Sequence, residues 1–498
     1  MALESHLDRL MLFGGETDLS GTRSDESWTL VIPSIYYDTS TAVVPWSSYP
    51  SGSQKPLGHV SGLSADMYPG VAYGRGDDIY DMKQSGGSRW TSLSSDPHLA
   101  EWYPQMFVVP DVNGADSHIF EAGPRWDTWL LDPDTTAGHK WRQVDDSSQD
   151  TTRMFKGGTS VMYRVGKIMK VGSRDTEGGE ATNRTSTIDL GANPSYNPAA
   201  LTWHAESTMF YHRVNANVVL LPSGDVLITG GTDKIGNFSE AEEEEVDGGN
   251  FIFKPELWHP KAGSVEAHWE TMAEDPYHML RGYHSNAVLM PDGRVLVGSG
   301  NVSYPDDSLS SWTKVQVFSP PYLFNSSGDH AQRVKILATG GGNLSWGDTT
   351  TVVTDLLADS LVLIRGSSAT HAFNSEQRFV PLARRLNDRT VSEAGGTEHY
   401  YTIRIPSVAD SVPPGDYLLF AVRNGYAPSI GRWVHINNVK PAYDVGDDVR
   451  PGRVAFTLDK TCTTVGLEWT HPGDDSLFGV NGHRNLPSCG HRKVPTLG

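Results

Sequence analysis

Cysteine is nearly missing from this chain. Its 498 residues include two, Cys462 and Cys489, both close to the C-terminus. A disulfide framework therefore cannot hold the body of the fold. A Cys462–Cys489 bridge closing the tail is the expected pairing, and two free buried thiols are the alternative. Long apolar runs are also lacking. None approaches the roughly 20 residues that cross a bilayer, so no membrane span is expected. Positive charge is outweighed, leaving a formal net charge of -20. Such a field repels nucleic acid and anionic lipid, which excludes both as partners. The segment Met1-Ala-Leu-Glu-Ser-His-Leu-Asp8 has neither a basic n-region nor an apolar h-region, so no signal peptide is visible.

Turn formers, by contrast, are abundant, with 51 Gly and 30 Pro, and they separate many short Val-, Ile- and Tyr-rich runs. That combination predicts an all-β protein. Arg281-Gly-Tyr-His-Ser285 leads into two β-rich runs, Asn286 to Met290 and Arg294 to Val297, joined by Pro291-Asp-Gly293. The same arrangement recurs from Tyr211-His212 through Pro222-Ser-Gly224 to Gly230-Gly231. Further copies surround His118–Gly123 and Lys167–Gly172 and looser ones Leu10–Gly15 and Asp78–Asp81, while Val315–Pro321 supplies the third strand after the central stretch; Trp141, Trp203 and Trp90 follow these copies as Trp269 follows Val226–Gly231. Spacings of roughly 45 to 60 residues suit a kelch-type β-propeller of about seven blades, the first of them incomplete. One such unit cannot bury both of its faces, so neighbours must stack. The tryptophans are expected to fill the space between them.

The expected organisation is a propeller over residues 1–330, with an irregular insertion at about 16–70. From about Arg333 the pattern shifts to longer strands at sandwich spacing, which predicts an Ig-like β-sandwich over 331–438 and an appendage over 439–498. Glu240 to Glu245 reads as a solvated acidic loop. Asn-x-Ser/Thr sequons at Asn183, Asn237, Asn301, Asn325 and Asn343 point to an extracellular or cell-surface glycoprotein, its export signal absent from this gene model.

Four side chains stand out for chemistry: Tyr103 in Trp102-Tyr-Pro104, Tyr283 and His284 at the head of the central hairpin, and His371 in Thr370-His-Ala-Phe-Asn-Ser-Glu-Gln-Arg378. Neighbours on a regular strand face opposite ways, so Tyr283 and His284 share a site only where the chain enters its sheet. In these stretches and in their order, the sequence resembles the copper radical oxidases, the galactose oxidase and glyoxal oxidase family, whose propeller is followed by an early set, Ig-like domain. The resemblance implies copper held by Tyr103, Tyr283, His284 and His371, with Tyr103 as the radical and Tyr283 taking the substrate proton. It implies oxidation of a sugar, glycerol or glyoxal-type alcohol or aldehyde by O2 to H2O2, in a monomer. Imidazole and phenol donors around an open position suit tetragonal Cu(II).

One departure bears on activity. In the family a cysteine upstream of the equatorial tyrosine forms a thioether with it, and this sequence has no cysteine before Cys462. Either Asp66-Met-Tyr-Pro-Gly70 is that segment without its cysteine, or Leu10–Gly15 is the remnant of that unit and the cysteine preceded Met1. Impaired turnover follows, and a non-catalytic propeller that binds glycans or a surface partner is the alternative. His212, Tyr211, Trp126, Trp129 and Arg281 are left between packing and substrate contact.

Overall fold

A computed structural model describes residues 105–109, 118–124, 127–132, 140–144, 157–174, 180–192, 201–235, 247–300, 315–375, 377–393, 396–407 and 411–436, together with the backbone of six strands between Ala2 and Ser92. Tyr103, Trp126, Glu240–Glu245, Cys462, Cys489 and the segment 439–498 lie outside the described residues. Among the described residues every regular element longer than a single helical turn is a β-strand.

The N-terminal part is a succession of small antiparallel sheets whose strands follow chain order. The four-stranded sheets begin with Ala2–Glu4, Gln105–Val109, Thr159–Arg164 and Asn217–Leu220, and a three-stranded one begins with Ser285–Leu289. The first takes in Ser27–Val31 and Ser47–Ser48, both within the stretch expected to be irregular. The hairpin turns fall where the sequence places them: Gly224 and Gly293 adopt φ of 90° and 87°, values that only glycine reaches cheaply.

Aromatic side chains connect successive sheets. Trp203 lies 6.2 Å from Phe120, and Trp258 meets Tyr163 edge-on at 4.9 Å. A second link uses backbone. At the end of the strand Val226–Thr229, Gly230 takes φ 69°, and a Cβ there would lie 2.6 Å from the Arg281 carbonyl oxygen. Gly172, φ 68°, stands in the same relation to the Arg213 carbonyl oxygen, also at 2.6 Å. Each carbonyl accepts the next residue's N–H, from Gly231 at 2.6 Å and from Ser173 at 2.9 Å. The two arginines are buried and satisfied. Arg213 pairs with Glu256 at 2.8 Å, and Arg281 donates to Gln316, which in turn donates to Asp275.

The C-terminal part is a two-sheet sandwich. One sheet orders Ile336–Thr339, Thr349–Thr354, Gly396–Arg404 and Ala383–Glu393, and the other holds Ser360–Arg365 between Gly415–Val422 and Phe379–Pro381. The run Leu361-Val-Leu-Ile364 is apolar throughout because both of its faces are covered. Leu361 and Leu363 enter the sandwich core, while Val362 and Ile364 join the core of the preceding sheets.

Gly230→Ala is expected to lower stability by more than about 1 kcal/mol, because it combines a left-handed backbone with a steric clash. A thermal melt should show this as a lower Tm, and an unchanged Tm would mean that the junction yields.

Candidate metal centre

The site forms where a sandwich hairpin reaches back to the N-terminal sheets. Ala369–Thr370 pairs with Phe373–Asn374, leaving His371 and Ala372 as a two-residue connection. Both are left-handed, at φ 48° and 60°, as a type I′ turn requires. That turn favours Asn-Gly, and an alanine at positive φ is costly, so the surroundings must enforce it. Three contacts do so. Phe373 packs edge-on against Phe107 at 5.4 Å, Arg378 donates to the Val108 carbonyl at 2.6 Å, and the Gln377 side-chain carbonyl accepts the Leu220 N–H. Within the loop, the Asn374 side chain accepts the Ser368 N–H at 2.9 Å.

Tyr283 and His284 precede the strand Ser285–Leu289, where the chain enters its sheet. His284 is left-handed too, with φ 62°, which breaks the alternation of side chains. Its ring consequently stacks on that of Tyr283, centroids 3.9 Å apart and planes 27° apart. In the preceding sheet the residue with this conformation at the strand entry is Asn215, φ 56°, whereas His212 is exposed with its Nδ1 2.8 Å from the Ala181 carbonyl oxygen. The aromatic-His pair at Tyr211-His212 is thus a likeness of sequence, and Asn215 occupies the equivalent position.

The two imidazoles meet tip to tip. His284 Nε2 and His371 Nε2 are 2.9 Å apart with the rings nearly perpendicular, at 86°. The Tyr283 ring lies 5.7 Å from that of His371. Burial draws the His284 pKa down to about 4. Burial, and then the neighbouring His284, hold His371 well below its ordinary value. Both rings are therefore neutral at pH 7, the form that ligates metal. His371 Nδ1 is 2.7 Å from Thr370 Oγ1. A proton on Nδ1, donated to that hydroxyl, leaves the lone pair on Nε2.

This donor set fits a metal ion. Two nitrogens each about 2.0 Å from one ion and at right angles to each other are separated by about 2.8 Å, close to the 2.9 Å found here. Among the described residues no group of three or more His, Cys, Asp and Glu is placed to hold an ion, so any third protein ligand from them has to be a different residue type, and Tyr283 stands adjacent. Arg281 is buried and committed to Gln316 at 3.2 Å from both Nε and Nη2, so it supports the strand entry. Trp129 donates to Asp127 at 3.3 Å. The left-handed residues Asn215 and Ala372 carried no legible signal in the sequence.

Two family models match the chain: Glyoxal oxidase N-terminus over residues 192–322, and Galactose oxidase-like, Early set domain over 333–436. Galactose oxidase of Gibberella zeae is 31% identical over 282 residues, covering 56% of this chain and 37% of that protein. Aldehyde oxidase GLOX1 of Arabidopsis thaliana is 30% identical over 255 residues, covering 48% of this chain and 38% of that protein. The chain thus spans less than half the length of these relatives. A solved fungal alcohol oxidase in complex with copper shares the fold, with a TM-score of 0.60 at 21% identity, over 87% of this chain and 84% of that one.

The low His284 pKa has a consequence for stability. Between the ordinary value of 6.5 and the folded value of about 4, the unfolded chain binds a proton that the folded chain refuses. Metal-free protein should therefore lose stability as pH falls through that window. Chemical denaturation at several pH values should show a shallower loss for His284→Gln. Equal slopes for the two proteins would contradict the assignment.

Proposed function

Taking as premise that residues 192–436 resemble the copper radical oxidases, the galactose oxidase and glyoxal oxidase family, we propose that this chain is a copper-dependent oxidase of an alcohol or aldehyde. The observation that carries the reading is the 2.9 Å approach of two neutral imidazoles from positions 284 and 371. His284, His371 and Tyr283 would hold the copper, with Tyr103 as the fourth ligand. Bound copper supplies one of the two one-electron acceptors that the oxidation needs. Tyr103 would supply the other and would take a hydrogen atom from the substrate carbon. Tyr283 takes the hydroxyl proton. The substrate gives up two electrons and two protons, and O2 takes up the same number to leave as H2O2. Thr370 holds His371 in the tautomer that points its lone pair at the ion.

The sheets over 1–330 are read as the blades of a kelch-type ring, with the sandwich over 331–438 covering one end and a bridged tail beyond it. On this reading the protein would act outside the cell as a monomer. Among the described residues no helix is long and apolar enough to cross a membrane. A second reading, a ring that binds glycans without turnover, is favoured by one fact: residues 1–461 contain no cysteine that could form the thioether that steadies the radical.

Copper-loaded protein is expected to consume O2 and release peroxide with galactose, glycerol or methylglyoxal, slowly if the thioether is required. Glycan binding without copper, and no peroxide from any substrate, would select the second reading. Stoichiometric copper binding by calorimetry should disappear in His284→Ala and His371→Ala, and its persistence would remove both from the ligand set. Thr370→Val should weaken copper binding about 10- to 100-fold while Thr370→Ser preserves it. Equal affinities would leave the hydroxyl without a role.

A further inference from the structure

Three of the five sequons fall on described residues, and the structure treats them differently. Asn183 is half-buried. Its Nδ2 donates to the Met209 carbonyl at 2.9 Å, and its own carbonyl accepts the Met209 N–H at 2.9 Å. That nitrogen is thus held against the loop before the next sheet, where a sugar replacing one of its two protons would crowd the Met209 segment. Asn343 is exposed, but it lies in a strand paired with Arg432–Ile436, and the middle residue of its sequon, Leu344, is buried.

Asn325-Ser-Ser327 is presented otherwise. All three residues are exposed. The Asn325 Oδ1 accepts the N–H groups of Ser327 at 2.9 Å and Asp329 at 3.0 Å. The Gly328 N–H reaches the Asn325 carbonyl at 2.9 Å, and the Asn325 N–H reaches Asp329 O at 2.8 Å. Below the turn, Phe324 and His330 stack at 5.3 Å. The side-chain carbonyl is therefore fixed inward and the amide nitrogen is turned outward, beside an exposed Ser327. The turn closes on itself, so a bulky substituent on Nδ2 displaces no hydrogen bond in it. We propose that Asn325 is an N-glycosylation site and that Asn183, despite its sequon, is not.

The donor is a polyprenyl-diphosphate-linked oligosaccharide. Asn325 Nδ2 forms a bond to the anomeric carbon, the bond from that carbon to the diphosphate oxygen breaks, and the electron pair leaves with the diphosphate. One amide proton passes to a base of the transferase. The inference stands apart from the copper reading and needs only entry into a secretory pathway.

The test is secretion of the full chain from yeast behind a cleavable signal peptide. Purified protein is treated with peptide N-glycosidase in heavy-oxygen water and mapped by mass spectrometry. Conversion of Asn325 to labelled aspartate is expected, with Asn183 unlabelled. Ser327→Ala should abolish the Asn325 label and leave the Tm of the deglycosylated protein unchanged, since the turn uses only the backbone of residue 327. Secreted protein with Asn325 unlabelled, or with Asn183 labelled, would overturn the proposal.

Discussion

The site depends on a strained hairpin tip held by packing. Two consecutive residues with side chains, His371 and Ala372, occupy left-handed backbone. A free peptide of this sequence would relax out of it. It persists because Phe373 and Arg378 engage the strand Gln105–Val109, through Phe107 and Val108, while Gln377 engages Asn217–Leu220 through Leu220. The strain is thus spread over a large interface, and its product is one imidazole nitrogen directed at another.

The partner imidazole is positioned by related means. His284 turns left-handed at the mouth of its strand, after a buried Arg281 whose carbonyl is received by Gly230 of the preceding sheet. The glycine at the end of one sheet therefore sets the height at which the next one starts. The same arrangement holds Arg213 over Gly172, so the junction that carries His284 is a repeated structural joint that here bears an imidazole. Asn215 shows that joint without a ligand, because asparagine tolerates the conformation and offers no ring nitrogen.

Much of this was legible beforehand. The Pro-x-Gly turns, the glycine endings and the tryptophans between sheets follow from local rules, and the structure has strands at His118–Gly123, Lys167–Val171 and Val315–Phe318 where the repeat placed them. That Tyr283 and His284 could share a site only at a strand entry followed from alternation, and both directly precede the strand Ser285–Leu289. Equating His212 with His284 matched residue types and missed the backbone conformation, which Asn215 shares and His212 does not. Nor could composition show what covers the second face of the strand Ser360–Arg365, since a continuous apolar run reads the same in any fully covered sheet.

The two nitrogens of the pair are separated by 87 positions along the chain, and the passage between the two parts runs through Pro321–Leu323 and the Asn325 turn to Arg333. Neither part owns the centre. A chain severed in that passage would leave one half with a lone imidazole and the other with a hairpin deprived of the interface that enforces its conformation. The paired nitrogens exist only once the hairpin has docked, so an ion that needs both is held only by the joined parts.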